Sequence, residues 1–210
     1  AAPEANELER KYGRGPAASK VYHRDRGLSL GGYGEFNYKE SLSDGDDTYD
    51  FVRLVLYAGY KFTDRIVFNS EIEFEHASTG SNDQDGQVSV EQAYLDFFLK
   101  DWANVRAGLV LVPVGFVNEL HEPPFFHGNE RPSVERQIIP TTWRANGLGV
   151  FGDVGETLSY RTYVVTSLRA ERFSSANIRS GRQNGNVERA KDFSWVGRLD
   201  YIPVLGLDFG

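Results

Sequence analysis

The sequence predicts an all-β protein, a transmembrane antiparallel β-barrel. Three observations point there. Apolar residues recur with period two along stretches of about 8–14 residues, near the ~9–11 that cross a bilayer at a tilt and longer than the ~5–6 of ordinary strands. The connections alternate in length: 63–64, 101–104, 153–156 and 203–206 are short, and 41–48, 77–87, 113–144 and 171–191 are long. Short turns at one rim and long loops at the other are the outer-membrane pattern. Finally, Tyr38, Tyr60, Trp102, Tyr160, Trp195 and Tyr201 lie near strand ends, where aromatic girdles form.

Composition agrees. The formal net charge is −7 over 210 residues, which argues against a general nucleic-acid binder. There are 0 Cys, which suits an envelope protein that needs no disulfides. There are 0 Met, so residue 1 is not a translation start, and Ala1-Ala2-Pro3-Glu4 reads as the end left by removal of a signal peptide. No run approaches the ~20 apolar residues of a membrane helix, but barrel strands alternate lipid-facing and lumen-facing side chains and dilute that signal.

Residues 1–26 form a polar segment expected to be a mobile periplasmic terminus, with room for a short helix over Glu4 to Lys11. From 27 to 210 the chain reads as barrel. The first strand runs from Leu28 to Lys39, with Leu28, Leu30, Phe36 and Tyr38 on one face and Ser29, Glu35 and Asn37 on the other. The second, Tyr49 to Phe62, sets Leu54, Leu56 and Tyr60 against Arg53 and Lys61. The third, Arg65 to Glu75, sets Ile66, Phe68, Ile72 and Phe74 against Asn69, Glu71, Glu73 and Glu75. Val88 to Leu99 places Ala93, Leu95 and Phe97 opposite Gln92, Tyr94 and Asp96, and Val105 to Val112 carries Arg106 on its polar side. Ala145 to Gly152 is a Gly-rich strand whose facing the sequence leaves open. Thr157 to Arg169 presents Arg161 and Arg169 inward, and Asp192 to Ile202 presents Arg198 and Asp200. A ninth strand starts at Leu207.

On a barrel, the polar faces line the lumen. Arg53, Glu71, Glu73, Glu75, Asp96, Arg106, Arg161 and Arg198 are therefore the candidate pore-lining residues. Walls of opposite charge set up a field across a water-filled path, and ladders of one sign bias which ions pass. The stretch 113–144 is the third external loop. A connection of about thirty residues inside a compact domain is usually functional. Its prolines stiffen it, and Phe116, Val117, Phe125, Phe126, Ile138 and Ile139 are placed to anchor it to the wall or to a neighbouring subunit. Folded into the barrel mouth, it would bring His121, Glu122, His127, Glu130, Arg131, Glu135 and Arg136 to a constriction. His121, Glu122 and His127 are also the only residues that suggest a metal, but with no fourth ligand and no familiar spacing the expectation is no metal and no cofactor. Neither G-x-S-x-G nor H-E-x-x-H occurs, and no enzyme is expected.

V-R-A-G-L-V-L-V-P-V-G-F (105–116), E-R-P-S-V-E-R (130–136) and the N-G-L-G-V strand (146–150) together resemble the phosphate-selective porin O/P family of Gram-negative outer-membrane porins. The resemblance implies a 16-stranded, trimeric diffusion channel with a constricting loop, to which Pro113, Gly115, Glu130, Arg131 and Arg136 carry over as loop-forming residues. The chain is acidic overall, so phosphate selectivity is not carried over. It holds eight to nine strands, about half such a barrel, and is expected to be the N-terminal part of a larger protein. The expected function is passive diffusion of small hydrophilic solutes or inorganic ions through an outer-membrane homotrimer in contact with lipid and lipopolysaccharide. The alternative is a barrel that serves as a scaffold or adhesin through its external loops.

Overall fold

A computed structural model describes residues 11–12, 14–43, 45–76, 86–204 and 207–210. Nine strands form one sheet in the order of the chain, each antiparallel to the next. They are β1 (Gly27–Lys39), β2 (Thr48–Thr63), β3 (Ile66–Glu75), β4 (Gln87–Lys100), β5 (Ala103–Leu111), β6 (Arg144–Val154), β7 (Leu158–Thr166), β8 (Phe193–Val204) and β9 (Leu207–Phe209). The meander follows from period-two patterning joined by short turns. Among the described residues no helix is long and apolar enough to cross a membrane.

Two boundaries differ from expectation. The strand β7 stops at Thr166, not Arg169, because Arg169 lies outside the ladder and pairs with Glu171 beside a short 3-10 turn. The sheet is also open, with β1 and β9 at its edges, so these nine strands do not close the expected barrel. Most of the expected loop at 77–87 lies outside the described residues, as does the Glu4-to-Arg10 part of the expected short helix.

The two faces of the sheet differ in kind. One is apolar and exposed: Leu30 is 60% accessible, Leu148 60% and Trp195 78%, with Leu28, Leu54, Leu56, Val150, Val164 and Leu199 beside them. A continuous apolar face of this size marks contact with lipid or protein. The other face is polar and covered. The register settles the facing of β6: Ala145 and Phe151 are buried on the covered face, and Leu148 and Val150 stand on the open one.

Two segments cover the polar face. One is the connection from 112 to 143, containing α2 (Ser133–Gln137). The other is N-terminal: residues 14–23, expected within a mobile terminus, pack on the sheet, while residues 1–10 lie outside the described residues. Residues Pro16–Ser19 form α1, a single helical turn, followed by a 3-10 turn at Lys20–His23. Arg14, Ala18, Val21 and Tyr22 are buried against the sheet. The segment stays on the wall because Ala17, Ala18, Val21 and Tyr22 bury apolar surface there, and the Ala18 carbonyl and Tyr22 hydroxyl find polar partners.

Candidate functional site: the loop on the charged wall

The loop begins where β5 ends in P-V-G-F. Gly115 has φ +79°, left-handed backbone that releases the chain from the sheet. Two side chains then clasp the loop. The Asn118 amide donates to the carbonyls of Val112 (2.6 Å) and Trp143 (2.9 Å) and accepts from the Trp143 N–H (2.6 Å), tying the loop's two ends together. Glu135, on α2, accepts from the N–H groups of Phe116 (2.6 Å) and Val117 (3.0 Å). Val117 is buried as an anchor, whereas Phe116 is 79% exposed and Ile138 47%.

Beneath the clasps His121 and Glu122 turn onto the wall. Nε2 of His121 lies 2.8 Å from Glu91 Oε2 and 3.2 Å from Glu71 Oε1, and Nδ1 lies 3.2 Å from the Asn118 carbonyl. Burial alone would push the imidazole's pKa down, but the two carboxylates outweigh it and hold it up to about 10. The ring is therefore an imidazolium that donates from both nitrogens. Burial, with Glu71 nearby, pushes the Glu122 carboxyl up, against the Tyr57 hydroxyl and His121. The Tyr57 hydroxyl sits between Glu71 (2.9 Å) and Glu122 (3.0 Å). Gln92 donates to Glu71 (2.9 Å) and Arg144 to Glu91 (3.0 Å).

Glu71, Glu91 and His121 are near enough to share a metal ion. Each ligand atom already has a proton donor or acceptor, so the geometry is that of a hydrogen-bonded ion cluster. The triplet suggested by sequence, His121, Glu122 and His127, does not form, because His127 is exposed.

A second buried network lies nearer the short-turn end. Arg106 grips Asp96 with two bonds, 2.7 and 2.8 Å, and neither side chain is accessible. Arg161 pairs with Glu119 of the loop (2.8 Å) and with Asp200. Arg198 pairs with Asp200 (2.7 Å) and donates to the Gly115 carbonyl (2.6 Å). Five expected pore-lining residues, Glu71, Glu73, Asp96, Arg106 and Arg161, are thus on the predicted face but buried.

The remaining charges meet at a cavity of about 410 Å³ between loop and wall. Its lining includes the carboxylates of Glu35, Glu73, Glu75 and Glu91 and the guanidiniums of Arg131, Arg144, Arg179 and Arg182. Arg53 sits among the acids, 2.7 Å from Glu35, 2.6 Å from Glu73 and 3.8 Å from Glu75. Among the described residues, Arg131, Arg179 and Arg182 bond to hydroxyls and carbonyls of the loop and to no carboxylate. Burial lowers the Arg182 pKa, and its neighbours Arg179 and Arg144 lower it further, to about 10. Glu130 and Arg136 are exposed at the rim and paired to each other.

Residues 29–120 match the family model for phosphate-selective porin O and P. Over that span the chain is similar to the porin O and P family. The matched span begins at β1 and ends early in the loop, so only 105–120 of the 105–152 stretch that carried the sequence resemblance falls within it. The chain is also 46% identical over 193 residues to an uncharacterized protein of Aquifex aeolicus (strain VF5), an alignment covering 90% of this chain and 44% of the relative. The chain thus spans less than half the length of that curated relative. The matched family is one of channels.

Several residues of this site escape a reading by strand parity. Glu91 falls on the apolar parity of β4, and the acidic partner of Arg161, Glu119, sits in an irregular loop. Arg14, Arg179 and Arg182 lie in segments without period, where nothing local signals a fold back onto the wall.

Proposed function

We propose that this chain is part of an outer-membrane porin that conducts small hydrophilic solutes or ions by passive diffusion. The observation that carries the reading is the cavity between loop and wall, lined by both carboxylates and guanidiniums. A covered polar face opposite an exposed apolar one suits a sheet that rolls around water with its back to lipid. Further strands would close it, for which the greater length of the Aquifex relative leaves room, and a 16-stranded barrel in a trimer among lipid and lipopolysaccharide is what the family resemblance implies. Within it, Arg131, Arg179 and Arg182 face the permeating path together with Glu73 and Glu75, with Arg136 and Glu130 at the rim. The selectivity is weak, since both signs of charge reach the same space.

A scaffold or adhesin role has one observation in its favour: loop and N-terminal segment together bury much of the wall charge. Single-channel recording of the complete protein in planar bilayers, with reversal potentials under a salt gradient, separates the two. Steady ohmic steps support the porin. A folded, heat-modifiable barrel that passes no current supports the scaffold.

A further inference from the structure

The second cover of the wall belongs to no loop. Residues 14–23 lie on the polar face below the 112–143 connection. Ala17 and Ala18 pack on Tyr33, Val55 and Tyr57, and Val21 and Tyr22 pack on Val67 and Phe98. Asn69 on β3 donates to the Ala18 carbonyl (2.8 Å). The Tyr22 hydroxyl donates to Asp96 (2.8 Å) and accepts from Arg106 (3.2 Å), joining the buried ion pair on the wall.

The wall is shaped for this occupant. A Cβ at Gly59 on β2 would stand 2.7 Å from Val21, a collision with its Cβ and a methyl. The segment also meets the loop: the fully buried Arg14 guanidinium lies 4.0 Å from Glu119. Loop and segment are therefore stacked along the wall, one toward the long-loop rim and one toward the short-turn rim.

We infer that residues 14–23 form a second constriction, in series with the loop, that sets the size limit of the pore toward its short-turn end. This rests on the porin reading above. The segment is held by polar bonds to charged wall residues as well as by apolar contacts, so it occupies the water-facing side of the sheet as a built part of the path. Cross-section at the narrowest point governs what passes, so two stacked inserts limit flow at two heights.

The test uses the full-length protein, with and without residues 1–23, in planar bilayers and in liposomes swollen by sugars of increasing size. The deletion is expected to raise unit conductance and to move the size limit to larger sugars. A folded, heat-modifiable deletion variant with unchanged conductance and cut-off overturns the inference. Should the deletion not fold, Lys20→Cys decides, since Lys20 is only partly covered and the chain has no other cysteine. A bulky charged thiol reagent should then lower the conductance stepwise. Complete modification with no change in current overturns the inference. A wild-type protein that passes no current would instead remove the porin reading, and this inference with it.

Discussion

Nε2 of His121, on the loop, lies 2.8 Å from Oε2 of Glu91, on β4, with both side chains buried. This contact joins the 112–143 loop to the wall through a charge that titrates. The folded imidazole is held up to about 10, above the ~6.5 of an unfolded chain. A raised histidine stabilises fully below the unfolded value, and the contribution is lost as pH rises through the folded one. The stability difference between wild type and His121→Gln should therefore be largest below about pH 6.5 and shrink toward pH ~10. Unfolding midpoints of the complete protein across that range check it. A difference that grows with pH would refute the imidazolium.

Arg106 and Asp96 form a fully buried pair with two hydrogen bonds. Arg106→Met strands the Asp96 carboxylate and should cost about 3–5 kcal/mol. Asp96→Asn combined with Arg106→Met should recover part of that loss. Heat-modifiability of the three variants, read as the temperature of mobility shift, gives the order directly.

The open face predicts a contrast of position. Leu56 stands on the apolar face, 43% exposed. Leu56→Arg places a charge toward lipid and should destabilise by about 2–4 kcal/mol near the bilayer midplane. Folding into lipid vesicles at graded denaturant measures it. An unchanged midpoint would mean that this face meets water.

Arg179 and Arg182 carry charge to the cavity with no carboxylate partner among the described residues. Replacing both with Gln should shift the reversal potential toward cation preference, with little change in unit conductance. Glu75→Gln, in the same cavity, should shift it the other way.

Glu135 holds two loop N–H groups with one buried carboxylate. Glu135→Ala leaves both donors unmatched, at a cost of about 1–3 kcal/mol each. The loop between 116 and 137 should then become the first site of limited proteolysis in the variant.

Most of the sheet was legible. Period two over long stretches placed eight strands to within a few residues, and the placement of Arg53, Glu71, Glu73, Asp96, Arg106 and Arg161 on one face followed from parity. Parity breaks at a bulge. Glu71 pairs with Gln92 and Ile72 with Val90, so Glu91 is an extra residue. That insertion turns Glu91 to the covered face, where His121 meets it, and no local pattern announces it.

The long loop announced itself by length and proline content, and the sequence showed which charges it carried. It did not show their division. His121, Glu122 and Glu135 are buried in clasps, and His127, Glu130 and Arg136 remain outside. That division depends on partners far along the chain, such as Glu71 and Tyr57 for His121 and Glu122.

Alternation of apolar and polar residues sufficed for strand identity, for the two faces and for the antiparallel meander, because side chains of an extended chain must point alternately to opposite sides. The fate of the polar face was settled only in three dimensions. Tyr22 sits in a segment with no period, and its burial follows from a wall that offers Asp96 and Arg106 as partners, while Asn69 meets the neighbouring Ala18 carbonyl. A buried polar group is tolerated where its hydrogen bonds are met, and those bonds join residues that only folding brings together.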